Sequence, residues 1–146
     1  MNWSSRLGAL ADLDRAGRFD ELERALARLP ADPPASAEGD LAYWRGKVQV
    51  VSSRFASAIA PLALAVRLQP TRAHAHYLLG VALAREQLRA DAVRMLQCAL
   101  DLQPDLSAAA LELGQLWLAL GNPQAARPVL EQGLAHAPVD PALNTW

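Results

Sequence analysis

Residues 76–84 read HYLLGVALA, a run of good helix formers with Gly80 at its centre. Glycine inside a helix costs roughly 0.5–1 kcal/mol relative to alanine, because it surrenders more backbone freedom on folding. A glycine retained there must be offset by packing, as the small position where neighbouring helices approach closely. Its counterparts along the chain support that reading: Gly46, Gly80 and Gly114 recur at one even step. The same step relates Ala58, Ala92 and Ala126, then Pro70, Pro104 and Pro138, then the small residues Ala65, Ala99 and Gly133. Four columns in one phase define an internal repeat, and a long fixed period signals like units that bury their apolar faces against one another.

Each unit reads as a helical hairpin. In DAVRMLQCALDLQP, residues 91–104, the apolar Val93, Leu96, Ala99, Leu100 and Leu102 form a helix-type stripe and Pro104 marks the exit. AHAHYLLGVALA upstream forms the partner helix, and the polar REQLRAD separates the two. In LALGNPQAA, Gly121 falls past one helix end and Pro123 in the first turn of the next. Residues 3–30 read as a divergent hairpin turning at Gly17 and Phe19, and residues 31–38 as a linker. Residues 39–70, 73–104 and 107–138 read as regular repeats, and 139–146 as a truncated cap or the start of a further helix. The expected fold is all-α, one domain over 1–146 with about four hairpins and eight main helices. Pro61 and Pro128 fall inside predicted second helices, where each removes a backbone hydrogen bond and should bend the helix.

These columns resemble the tetratricopeptide repeat family, of bacterial type, whose pattern runs W-x2-L-G-x2-Y, then A-x3-F, then P. Leu79, Gly80, Leu83, Ala92, Leu96 and Pro104 occupy those places in one repeat; Leu113, Gly114, Trp117, Ala126, Leu130 and Pro138 do so in the next. The repeat before them keeps Gly46, Ala58, Leu62, Ala65 and Pro70 but has Arg45 and Gln49 where Leu and Tyr are usual, so its first helix should pack less snugly. The resemblance is strong over residues 39–138 and weak over 3–30. It implies a right-handed α-α superhelix whose first helices line a concave surface, with function residing in that concavity.

Counted from the repeat glycine, the groove positions that the resemblance implies are Asp40, Tyr43, Lys47, Val50 and Val51 in one repeat. The next supplies His74, Tyr77, Val81, Ala84 and Arg85, and the last Ala108, Leu111, Gln115, Leu118 and Ala119. The expected partner-binding set among them is Tyr43, Lys47, Val50, His74, Tyr77, Val81, Arg85, Leu111, Gln115 and Leu118. Such a wall is mostly apolar with two tyrosines, which suits a peptide, an amphipathic helix or a partner domain. The chaperone-tail clamp of some relatives needs paired Lys, Arg and Asn in the groove. Here Lys47 is the single lysine, and Asn2, Asn122 and Asn144 lie outside the groove positions.

Composition closes off other classes. Fourteen basic and fifteen acidic residues give a net charge of −1, divided as nine and eight up to Pro70 and five and seven beyond it. No basic face for nucleic acid is expected. No stretch approaches the roughly 18 apolar residues of a membrane span, and the N-terminus lacks a secretory apolar region, so a cytoplasmic chain is expected. Cys98 is the only cysteine, which precludes an intramolecular disulfide. His74 and His76 point about 200° apart on a helix, so they cannot share a metal. No catalytic residue, metal or cofactor is expected. The anticipated function is a non-enzymatic interaction adaptor, with self-association through the C-terminal face as a further reading. The alternative is an N-terminal regulatory, targeting or self-association module of a larger multidomain enzyme such as a transferase.

Overall fold

A computed structural model of the chain describes residues 2–136. Among them the chain forms eight helices: α1 (Trp3–Arg15), α2 (Phe19–Ala27), α3 (Ala35–Val51), α4 (Phe55–Leu68), α5 (Ala73–Arg85), α6 (Arg89–Leu102), α7 (Ser107–Ala119) and α8 (Pro123–His136). They pair as consecutive antiparallel hairpins, each second helix also packing on the first helix of the next pair. This is the all-α superhelical array that the period implies. Pro138 and residues 139–146, read above as repeat exit and cap, lie outside the described residues.

All four hairpins turn by one backbone device. Gly17, Ser53, Gln87 and Gly121 adopt left-handed φ of 71°, 60°, 66° and 77°. After each, the next amide reaches back across the helix end: Arg18 N to Leu13 O at 3.0 Å, Arg54 N to Gln49 O at 2.8 Å, Leu88 N to Leu83 O at 2.9 Å and Asn122 N to Trp117 O at 2.8 Å. These bonds satisfy carbonyls that the helix ends would leave without partners. Glycine takes the left-handed region without strain, whereas Ser53 and Gln87 each carry about 1–2 kcal/mol of steric cost there. Asn122 then caps α8, its Oδ1 accepting from Ala125 N at 3.1 Å, and Pro123 opens that helix as expected.

The glycine column has the packing role inferred for it. A Cβ at Gly46 would sit 2.3 Å from Leu62 Cγ, at Gly80 2.7 Å from Leu96 Cγ and at Gly114 2.3 Å from Leu130 Cδ2. In each pair the second helix sends a leucine into the space that a side chain would fill. Ala58, Ala92 and Ala126 are buried one helical turn earlier on the same second helices. Leu22, Leu41, Leu62, Leu96 and Leu113 are the largest fully buried side chains, and form a spine along the array. Burying each contributes about 1.5–3 kcal/mol.

Three details refine the expected layout. α3 begins at Ala35, within the stretch read as linker, because Pro34 supplies the extended residue at the helix entry. Gly39, just beyond this added turn, lets the Gln69 side chain cross, with Cγ 2.7 Å from where a Cβ would lie. Pro61 and Pro128 are accommodated within continuous helices α4 and α8. Around Arg45 and Gln49 the packing is open, as anticipated: Arg45 is exposed, whereas Leu79 and Leu113 in the same column are buried.

Candidate functional site

The first helices α3, α5 and α7 lie side by side, with α5 touching both neighbours, and their facing residues make the inner wall. Its N-terminal half is held by charge. Asp14, at the end of α1, pairs with Lys47 Nζ at 2.6 Å and accepts from Trp44 Nε1 at 3.2 Å. Both members of the ion pair are largely shielded, at 17 % and 16 % exposure. The Lys47 ammonium also lies 5.6 Å from the Phe19 ring and 5.7 Å from the Tyr43 ring, within the range of cation–π attraction. Asp40 Oδ1 accepts from Arg72 Nη1 at 2.9 Å and from Gln69 Nε2 at 3.0 Å. The Arg72 guanidinium stacks 3.9 Å from the centre of the Tyr43 ring.

Further along, Arg85 on α5 forms a fork with Glu112 on α7, Nη1 at 3.2 Å and Nη2 at 2.9 Å. Its guanidinium also sits 5.9 Å from the Phe55 ring. The hydrogen bond to Glu112 holds the Arg85 pKa above its ordinary value. His74 meets Tyr77 edge to face at 5.5 Å. Burial lowers the His74 pKa, aided by the nearby Lys47 charge, and burial raises those of Tyr43 and Tyr77.

The residues of the expected partner set therefore fall into distinct environments. Tyr43 and Val81 are buried, at 4 % and 6 % exposure. Arg72 covers the first, and the second belongs to α5, the helix flanked on both sides. Lys47 and Arg85 are engaged in ion pairs. Leu111 leans toward α8, its Cδ2 3.3 Å from the place of a Cβ on Gly133. Val50, His74 and Tyr77 are half-buried, while Gln115 is exposed and Leu118 is 51 % exposed. Ala84, Arg85, Gln115 and Ala119, all at groove positions, line one cavity of about 250 Å³ between α5 and α7. Sequence counting missed Glu112, Arg72 and Asp14, which fix these cations and rings; only a map of neighbouring helices exposes such partners.

Among the described residues, no group of three His, Cys, Asp or Glu side chains is placed to hold a metal ion. His76 is buried with Nε2 3.0 Å from Pro70 O, while His74 faces the inner wall, so the two diverge as their spacing requires. Cys98 is only partly buried. No helix among the described residues is long and apolar enough to cross a membrane.

The family model described as "Tetratricopeptide repeat" matches residues 83–145. No curated protein matches the sequence. Among solved structures, "Crystal structure of MamA" is similar with a TM-score of 0.76 at 17 % identity, over 92 % of this chain and 78 % of that one. MamA residues 41 to the end from Desulfovibrio magneticus RS-1 give 0.70 at 19 % identity, over 90 % and 73 %. A MamA MSR-1 structure gives 0.71 at 20 % identity, over 93 % and 77 %. At these identities the likeness is one of fold. Residues 83–145 thus match the tetratricopeptide repeat pattern, and the helical hairpins along the described length share the fold of these structures.

Proposed function

We propose that the protein is a non-enzymatic adaptor that holds the apolar face of a peptide or amphipathic helix along its inner wall. The observation that carries this reading is the internal pairing of the wall's charges. Lys47, Arg72 and Arg85 each have a carboxylate partner within the domain, so the chemistry left open comes from Val50, Tyr77, Gln115 and Leu118 together with the cavity beside Arg85. A partner recognised through such groups gains affinity by burying apolar area, and its binding should depend weakly on salt. Replacing Tyr77 and Leu118 together by Ala should weaken capture of the partner about tenfold or more, as measured by calorimetry at low and high salt. Unchanged capture, or an affinity that collapses with salt, would remove the apolar wall as the site.

A second reading, self-association, rests on the end of the array. Leu134 on α8 is 65 % exposed, whereas Leu100, at the same repeat position on α6, is 5 % exposed beneath the next hairpin. Leu118 and Leu120 are exposed on adjoining α7 and its exit. A second copy packing on this face would bury it; an adjoining repeat or domain of a larger enzyme would do the same. Light scattering of the protein at about 100 μM should report a dimer that Leu134→Glu converts to monomer. A monomer for both proteins would exclude self-association through this face.

A further inference from the structure

The outer side of α3 carries two cavities that the inner wall does not use. Arg45 lies about 200° round the helix from both Tyr43 and Lys47, so it faces away from the groove. One cavity, of about 360 Å³, is lined by Glu38, Leu41, Ala42, Arg45, Pro61 and Leu64. The second, of about 320 Å³, adjoins it across the shared Arg45 and Pro61 and reaches Gln49, Val48 and Leu26. They open where the family's large apolar residues are replaced: Arg45 stands in the column of Leu79 and Leu113, and Gln49 in that of Leu83 and Trp117.

Three polar groups of this place are unengaged, whereas Glu23, which also lines the second cavity, is paired with Arg54. Neither Glu38 nor Arg45 has an ion-pair partner among the described residues, in contrast to the paired carboxylates of the inner wall. The Gln49 Oε1 atom is buried and accepts no hydrogen bond, a state that costs about 1–3 kcal/mol until a donor arrives. Glu38 and Arg45 are seven residues apart on one helix, about 10 Å along its axis, with Leu41 and Ala42 between them. Opposite charges thus bracket an apolar floor.

We infer that this valley between α2 and α4 is a second binding site. Its ligand is an extended peptide segment that places an apolar side chain on the half-buried Pro61 and Leu64, above the buried Leu41 and Ala42, between a basic residue at Glu38 and an acidic residue at Arg45. A backbone N–H of the same segment donates to Gln49. Alternating residues of an extended chain point to one side, so a basic-x-apolar-x-acidic pattern presents all three groups together.

The probe is the peptide acetyl-Lys-Ser-Leu-Ser-Glu-amide, titrated into the whole protein while side-chain NMR signals are followed. Two control peptides carry Lys at both ends or Glu at both ends. The expected result is shifts at the Leu41, Ala42 and Leu64 methyl groups and the Gln49 amide, with the mixed-charge peptide binding about tenfold tighter than either control. Arg45→Glu, an exposed substitution whose folding is checked by thermal melting, should transfer the preference to the doubly basic peptide. Absence of shifts at these methyl groups, equal binding of all three peptides, or an unaltered preference in Arg45→Glu would each overturn the inference. Shifts confined to Tyr77 and Leu118 would place the peptide on the inner wall and overturn it as well.

Discussion

The joint between the first two hairpins and the joints farther along the array stack the same kind of hairpin with different closeness. Between α4 and α5, and between α6 and α7, neighbouring hairpins are joined by apolar packing, with Leu79, Leu83, Leu100 and Leu113 buried. At the first joint the buried leucines are supplemented by ionic ties: Asp14 to Lys47, and Glu23 on α2 to Arg54 at 2.6 Å. Cavities open at that joint beside Arg45 and Gln49. Ionic ties also cross the later joints, Asp40 to Arg72 and Arg85 to Glu112, so what sets the N-terminal hairpin apart is the sparser packing of α1 and α2 on α3. The difference teaches that a common hairpin does not impose a common closeness of stacking.

The contrast can be broken most strongly at Asp14. Asp14→Ala removes the carboxylate that both Lys47 and Trp44 use, and leaves a shielded ammonium without its counter-charge. A loss of about 2 kcal/mol is expected, between the values for exposed and buried pairs. Hydrogen exchange should show the loss concentrated in α1 and α2, with α5 to α7 retaining protection; an even loss over the whole chain would mean that the joints are not distinct.

Alanine placed at two glycines sharpens the contrast with opposite signs. Gly80→Ala drives a methyl group into fully buried Leu96, so about 1–3 kcal/mol of overpacking should exceed the gain in helix propensity. Gly8 lies inside α1 with nothing within 4 Å of an added Cβ, so Gly8→Ala should stabilise by about 0.5–1 kcal/mol. Urea unfolding of both variants measures this directly, and equal signs would deny the glycine column its steric role.

The smallest effect is a dependence on pH. Burial lowers the pKa of folded His74 from the ordinary 6.5, so the unfolded chain binds the proton first on acidification. The stability contributed by the neutral imidazole is therefore complete above 6.5 and is lost as pH falls below it. His74→Gln should flatten the melting-temperature profile between about pH 7 and pH 5.5; an unchanged slope would assign the pH response to other groups.

Much of the fold was legible because repetition multiplies weak signals. Gly46, Gly80 and Gly114 set the register, and Gly121 with Pro123 marked one hairpin turn. The turn at Gln87 was placed within REQLRAD, but its left-handed backbone, like that of Ser53, was hidden, since neither residue type advertises it. The entry of α3 at Ala35 was hidden too, because the proline-containing linker disguised a helix that Pro34 starts. Of the inner wall, residue positions were legible but their availability was not. Whether Tyr43 faces a partner depends on Arg72, which stands at the entry of α5 in the following hairpin and stacks on its ring. Pairings of that kind arise from superhelical stacking, which no single repeat encodes.

The shared left-handed turn has a consequence for how such a chain grows. Because Ser53, Gln87 and Gly121 send the backbone along one path at one spacing, duplication of a single repeat copies a turn, a glycine and the leucine that fills it as a set. The new copy inherits both halves of its joint and needs no compensating change. Residues 28–34, which separate α2 from α3, interrupt that inheritance, and on the far side of the interruption α1 and α2 pack more sparsely on α3.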